Sequence, residues 1–224
     1  MKGFFITGTD TDVGKTIVTT LLLHTLQQNG VSSIAYKPVQ SGAEWKDEKW
    51  VAPDVEMYRR VAHVNEEECC TYLLKTPCSP HLAAKLDGVT IDPKEIVSHV
   101  RLLQETYECV LVEGAGGIAV PLVDDAYMIA DLAADLQLPV IIVARTGVGT
   151  INHTVLTIEY AKKRGLSLAG IVMNGFSEPP TDVEMDNVRM IEKMTGIPVI
   201  GMIPYMNPIR FDEVNGIWKG EWWR

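Results

Sequence analysis

The run Gly8-Thr9-Asp10-Thr11-Asp12-Val13-Gly14-Lys15-Thr16 puts small turn residues, a lysine and a hydroxyl side by side near the start of the chain. A short apolar stretch precedes it, and Ile17, Leu21 and Leu22 begin a helical stripe after it, so it reads as a strand–loop–helix junction. Backbone N–H groups of such a loop, with the helix N-terminus behind them, form an anion cradle. Lys15 is placed to reach the β- and γ-phosphates of a nucleoside triphosphate, and the Thr16 hydroxyl to ligate magnesium. Gly14 lets the backbone approach the phosphate closely. The spacing departs from the usual phosphate loop (P-loop), because Thr9 stands where its first glycine belongs and Gly8 comes one residue earlier.

Two further segments carry charge to the same place. In Tyr36-Lys37-Pro38-Val39-Gln40-Ser41-Gly42, Lys37 follows an apolar run, and Pro38 stiffens the exit by fixing its own φ. A second cation facing the γ-phosphate suits phosphoryl transfer, in which charge spreads over the phosphoryl oxygens. Glu113 ends the apolar run Val110-Leu111-Val112 and is followed by Gly114-Ala115-Gly116-Gly117. An acidic strand end beside a P-loop is a natural magnesium ligand, and the glycines after it allow close approach to a substrate. Asp54 is a weaker candidate, since Pro53-Asp54 also reads as a plain helix start.

Elements must position these groups. Apolar runs at 3–7, 33–36, 109–112, 139–144, 168–173 and 198–202 read as strands covered on both faces. Amphipathic segments alternate with them. One begins at Ile17 and stops at Gly30. Another carries Ile96, Val100 and Leu103, with Asp92 as N-cap, Pro93 at the first helical position and Glu95 as capping-box partner. A third carries Ile151, Val155 and Ile158, and residues 181–195 make a fourth. The alternation predicts an α/β fold: a doubly wound, mainly parallel sheet flanked by helices, of P-loop NTPase type, with residues 1–224 as a single domain. Ligands of such folds gather at the carboxyl ends of the strands, here just after Thr7, Tyr36, Val112, Ala144 and Met173.

Composition narrows the field. Apolar residues make up 46% of the 224, the formal net charge is −9, and no Lys/Arg block could track a phosphate backbone, which argues against nucleic acid as a partner. No run approaches the ~18 apolar residues of a membrane span. Cys69, Cys70, Cys78 and Cys109 show no CxxC spacing, as expected of reduced thiols in a cytoplasmic protein. Met57, Met173 and Met202 are expected in the core and His24 in a structural role. Pro80-His81 could open a helix aimed at a substrate carboxylate.

Taken together, the P-loop run, Tyr36-Lys37-Pro38-Val39-Gln40-Ser41-Gly42, Ser79-Pro80-His81, Val112-Glu113-Gly114-Ala115-Gly116-Gly117, Ile151-Asn152-His153 and Asn174 resemble the dethiobiotin synthetase family, in its order, across about residues 1–205. The shifted first glycine is itself a trait of that family. The resemblance implies an ATP-dependent cyclo-ligase that converts 7,8-diaminopelargonate and CO2 (or bicarbonate) to dethiobiotin, ADP and phosphate. One amine captures CO2 as a carbamate, the carbamate takes the γ-phosphoryl group as a mixed anhydride, and the second amine closes the ring. It further implies Lys15 and Lys37 as catalytic residues and Thr16, Asp54 and Glu113 around Mg2+. ATP would be held by Asp12, Val13, Gly14, Lys15, Thr16 and Ile17, by Asp54, Glu113, Gly114, Ala115 and Gly116, and by Asn174, on the adenine, with Gly175, Pro204 and Tyr205. Ser41, Ser79, His81, Gly116 and Gly117 would bind substrate. Gly149 and Asn152 would complete the neighbouring subunit's pocket in a homodimer.

Three rival readings differ at identifiable residues. A partitioning-type switch ATPase usually has a lysine near the start of its phosphate loop, where this chain has none. A cobyrinate-type amidase carries a glutaminase domain, for which the chain ends too early. A non-catalytic nucleotide-binding module fits poorly with intact Lys15, Thr16 and Glu113. The segment 44–53, with Trp45 and Trp50, has no evident role. The tryptophan-rich stretch 218–224 is expected to dock on the body or on a dimer partner.

Overall fold

The computed structural model describes residues 2–211 and 216–223. The chain runs β1 (Gly3–Gly8), α1 (Lys15–Gln28), β2 (Ser33–Ser41), the hairpin β3 (Glu44–Lys46) and β4 (Lys49–Val51), α2 (Pro53–Tyr58), α3 (Glu66–Cys69) and β5 (Cys70–Leu74). It continues through α4 (Pro80–Asp87), α5 (Pro93–Thr106), β6 (Cys109–Gly117), β7 (Pro121–Val123), β8 (Tyr127–Met128) and α6 (Ile129–Leu136). The last third holds β9 (Val140–Arg145), α7 (Thr150–Lys163), β10 (Leu168–Phe176), α8 (Asp182–Thr195) and β11 (Val199–Pro204).

Seven strands form one parallel sheet in the order β11-β10-β9-β1-β6-β2-β5. The central strand β1 is buried along its whole length, because helices cover both faces. That double cover is why its residues are apolar in succession instead of alternating. The chain leaves β1 between β6 and β9, so the loop after Gly8 opens into the crevice where the strand order reverses.

Three expectations about strand ends need correction. The second strand does not stop at Tyr36. Residues Ser33 to Tyr36 pair with β6, and from Lys37 to Ser41 the same strand pairs with β5. Pro38, which has no N–H to donate, sits where β2 changes partners. Lys37 therefore lies within the sheet at 5% exposure instead of leaving it. Strand β6 likewise runs on through Glu113 to Gly117, and β10 through Asn174 to Phe176.

The helix signals mostly hold. Gly30 (φ 77°) ends α1, Asp92 accepts the Lys94 N–H at 2.9 Å, and Pro93 opens α5. Glu95, however, does not close a capping box on Asp92. Its carboxylate takes the Tyr72 hydroxyl, and that hydroxyl's oxygen accepts the Asp92 N–H at 2.9 Å, so a side chain from β5 stands in the box. Thr181 and Glu184 do form a capping box, at the start of α8.

The tail docks on the body. The Met202 N–H donates to the Ile217 carbonyl at 2.8 Å and the Lys219 N–H to the Ile200 carbonyl at 2.9 Å, covering the outer edge of β11. Trp218 Nε1 donates to Thr25 at 2.9 Å, and Trp222 meets Phe4 edge to face. Arg224, which belongs to the expected tail, lies outside the described residues. Trp45 and Trp50 pack edge to face across the β3–β4 hairpin. Met173 is buried, Met57 and Met202 pack against the core, and all four cysteines are unpaired. Among the described residues no helix is long and apolar enough to cross a membrane.

Candidate functional site

The loop between β1 and α1 is fixed by close contacts that dictate its residues. A Cβ on Gly8 would lie 2.8 Å from the Asp10 carbonyl oxygen and 2.7 Å from Val13, so the loop turns over itself at position 8. The glycine that sequence spacing places at position 9 is needed one residue earlier, and Thr9 instead donates its N–H to the Val143 carbonyl at 2.9 Å. Gly14 takes φ 93°, and a Cβ there would come within 2.1 Å of the Asn174 amide nitrogen. That amide donates to the Val13 carbonyl at 3.0 Å, tying β10 to the loop. Lys15 folds back over the loop and donates to the Asp10 carbonyl at 2.9 Å. Burial lowers its pKa, and the nearby Lys37 lowers it further.

Four charges meet beside this loop. The Lys37 ammonium lies 2.6 Å from Asp54 Oδ2 and 2.9 Å from Glu113 Oε1, and it reaches the Gly114 carbonyl at 3.4 Å. Burial works against its charge, but the Glu113 and Asp54 carboxylates outweigh this and hold its pKa above the ordinary lysine value. Asp54 is penalised by burial in the same way, and Lys37 nonetheless brings its pKa below the usual range. The Thr16 hydroxyl donates to Glu113 Oε1 at 2.8 Å, and its nearness helps hold the Asp54 pKa down. The sheet thus delivers Lys37 from β2 and Glu113 from β6, α1 delivers Thr16, and the first turn of α2 delivers Asp54.

Two carboxylates and a hydroxyl on converging elements are hard oxygen donors. They suit a magnesium ion that draws its other ligands from phosphate oxygens and water. Among the described residues no group of three or more His, Cys, Asp or Glu side chains could hold a metal ion.

Two adjoining clefts open here. The larger, about 790 Å³, is lined by Asp12, Gly14, Lys15, Thr16 and Ile17 from the loop and α1. Lys37, Ser41, Asp54, Ser79, Glu113, Ala115 and Gly116 form its other walls. The Ser41 hydroxyl is buried with no partner among the described residues, a polar atom open to a ligand. The smaller cleft, about 420 Å³, shares Asp12, Gly14 and Ile17 and adds Val13, Asn174, Gly175, Pro204 and Tyr205. Its apolar and amide lining, at the carboxyl ends of β9 to β11, fits a nucleobase.

Five anticipated residues line neither cleft. Gly114 touches the site through its carbonyl, and Gly117 ends β6. His81 sits at the start of α4, half-buried, with Nδ1 unpartnered. Gly149 and Asn152 are exposed at the start of α7. The sequence reading missed Tyr58, whose hydroxyl donates to Glu113 Oε2 at 2.7 Å, and Gln40, whose side-chain oxygen accepts the Asp54 N–H at 3.2 Å. Arg145 in the smaller cleft was missed as well. Its position just after Ala144, at a strand's carboxyl end, was the available signal. For Tyr58 the signal was its spacing of one helical turn from Asp54.

A family model described as an AAA domain matches residues 2–211. A protein named ATP-dependent dethiobiotin synthetase BioD from Anoxybacillus flavithermus is 63% identical over 224 residues, 100% of either chain. One of the same name from Bacillus subtilis strain 168 is 42% identical over 216 residues, 96% of this chain and 92% of its own. Among solved structures, the cell division ATPase MinD of Pyrococcus furiosus superposes with a TM-score of 0.60 at 19% identity, covering 97% of this chain and 89% of that one. A ParA family ATPase from Chlorobium tepidum gives 0.58 at 13% identity, covering 96% and 89%. Identities this low speak for the fold alone, and that fold is the α/β P-loop architecture expected from the sequence.

Proposed function

Because the chain belongs to the ATP-dependent dethiobiotin synthetase family, we propose how its residues divide the work of closing 7,8-diaminopelargonate and CO2 to dethiobiotin with cleavage of ATP. The observation that carries this assignment is the Lys37 ammonium held between Asp54 and Glu113 at the mouth of the phosphate loop. Simple nucleotide binding needs the loop, Lys15 and Thr16. A second, buried lysine serves a step in which negative charge builds up next to the γ-phosphate.

The loop N–H groups, Lys15 and the start of α1 bind the phosphates, while Asn174, Gly175, Pro204 and Tyr205 enclose the adenine. Thr16, Asp54 and Glu113 would hold magnesium, which would supply positive charge to the phosphates during transfer. Lys37 orients the substrate carbamate. A carbamate oxygen bonds to the γ-phosphorus as its bond to the bridging oxygen of ADP breaks. The second amine then attacks the carbamoyl carbon, loses a proton and expels phosphate. Ser41, Ser79 and Gly116 line the substrate's side of the cleft. His81 and Gly117 border it, and Ala115 and Gly114 carry the backbone past Lys37.

The same reading makes residues 1–224 one domain of a cytoplasmic homodimer, with Gly149 and Asn152 reaching the neighbouring subunit's substrate. Their exposure at the head of α7, next to a Val148 that is 97% exposed, supports a covered surface there. The test is phosphate release with diaminopelargonate and bicarbonate, each omitted in turn. Release that requires both supports the synthetase, and release indifferent to either would leave a bare ATPase.

A further inference from the structure

Glu113 has a second oxygen, and a residue that no motif marks holds it. Tyr58 ends α2 four residues after Asp54, on the same helix face. It is fully buried, and its hydroxyl donates to Glu113 Oε2 at 2.7 Å. The other oxygen, Oε1, faces Thr16 at 2.8 Å and Lys37 at 2.9 Å. We propose that Tyr58 is a positioning residue for the metal site: its hydroxyl fixes the rotation of the Glu113 carboxylate and anchors α2, and so Asp54, at the distance the ion requires. This rests on the magnesium reading given above.

Three features point to it. The last torsion of a glutamate is broad, so a buried carboxylate held on one oxygen only can rotate its coordinating oxygen away. A helix of six residues has no stability of its own, and tertiary contacts must set its place. For α2 these are Tyr58 on Glu113, the Gln40 side chain on the Asp54 N–H, and the buried Val55. Lys37 also bridges the two carboxylates, through Glu113 Oε1, whereas the Tyr58 hydroxyl ties α2 to Oε2. A phenylalanine at position 58 would fill the same volume and leave no phenol to desolvate. The hydroxyl earns its place through the carboxylate it holds, because Glu113, with a side chain 0% exposed, has no water to replace it.

The experiment compares binding of the non-hydrolysable ATP analogue adenylyl imidodiphosphate with Mn2+ and in EDTA, for wild type, Tyr58→Phe and Val55→Ala. Mn2+ stands in for magnesium. Tyr58→Phe is expected to lose about tenfold of the Mn2+-dependent gain in affinity, in line with losses on removing partners of metal ligands, while EDTA affinity stays unchanged. Val55→Ala, which loosens the packing of the same helix without touching Glu113, is expected to lose much less of the gain than Tyr58→Phe. An undiminished gain in Tyr58→Phe would overturn the proposal. So would an equal loss in Val55→Ala, or a Tyr58→Phe chain unfolded by far-ultraviolet circular dichroism, since the hydroxyl would then serve packing or folding in general. If wild type itself shows no gain with Mn2+, the magnesium reading fails, which is a different result.

Discussion

Lys37→Met tests the charge arrangement at its centre. Methionine keeps most of the length and apolar stem of lysine but removes the ammonium that lies 2.6 Å from Asp54 and 2.9 Å from Glu113. Two carboxylates are then left facing one another. Glu113 retains Thr16 and Tyr58 as donors but has no access to water, whereas the Asp54 side chain is 21% exposed and can recover some hydration. Removing one partner of a buried ion pair costs about 3–5 kcal/mol, and the exposure of Asp54 puts the expected loss near the lower end. For a chain of this size about 3 kcal/mol lowers Tm by roughly 6–12 °C. Magnesium should partly reverse it. The freed carboxylates become a better cation site, so millimolar Mg2+ without nucleotide should raise the Tm of the variant more than that of wild type. Turnover should fall by roughly 10²–10³ even when ATP is saturating. The assays are thermal unfolding with and without Mg2+, and phosphate release. A variant as stable as wild type, or one no more responsive to Mg2+, would refute the view that Lys37 compensates both carboxylates.

Gly14→Ala should weaken ATP binding at least tenfold while leaving the fold intact. Its Cβ would displace the Asn174 amide at 2.1 Å, and calorimetry showing unchanged affinity would contradict the cradle geometry. Glu184 gives a pH-dependent prediction. The Thr181 N–H, with further donors from Ser177 and Thr146, holds its carboxyl down at about 2 from 4.5, so its stabilising effect is present above pH 4.5 and lost as pH falls toward 2. The Tm gap between wild type and Glu184→Gln should therefore narrow as pH is lowered through that window, and parallel curves would count against it. If Gly149 serves the neighbouring subunit, mixing Lys15→Ala with Gly149→Trp chains should restore activity, because one site of each mixed dimer carries neither defect. No recovery despite demonstrated subunit exchange would rule out the shared site.

The phosphate loop was legible because its chemistry is local: an anion cradle is written in consecutive residues, and strand and helix signals flank it. Even the misplaced glycine could be seen, though its cause could not. Only the folded loop shows that the chain passes over itself at Gly8, where a Cβ would meet the Asp10 carbonyl. Lys37 was found by type but misplaced by environment. An apolar run followed by Lys-Pro looks like a strand end, and recognising that β2 continues requires knowing that β5 pairs with its second half. Strand β5 itself, with Cys70, Thr71 and Tyr72 half-buried at the sheet edge, carries too little apolar signal to announce itself. Glu95 failed for a similar reason, since its capping partner was taken by a tyrosine far away in sequence. Asp54 shows the limit from the other side. Its two readings, helix start and charge partner, are both correct, and the helix start is what aims it at Lys37.

The distribution of these residues across the sheet separates what the fold shares from what this family does with it. The loop, Lys15 and Thr16 lie at the junction of β1 and α1, a position any P-loop ATPase of this architecture must build. Lys37, Gln40, Ser41, Asp54 and Tyr58 all come from one flank, formed by β2 beyond its switch of partner and by α2. Before ligand arrives, Lys15 and Lys37 are matched by Asp54 and Glu113, so the two lysines can lie close without an uncompensated charge. A γ-phosphate entering beside Lys15 adds negative charge on one side of this set, and a divalent ion between the carboxylates would release the Lys37 ammonium from its present partners. The cation freed in this way lies on the same strand as Ser41, on the flank proposed above for the substrate. The same ion pairs that stabilise the ligand-free site would therefore keep Lys37 charged and in reserve until both magnesium and nucleotide are in place.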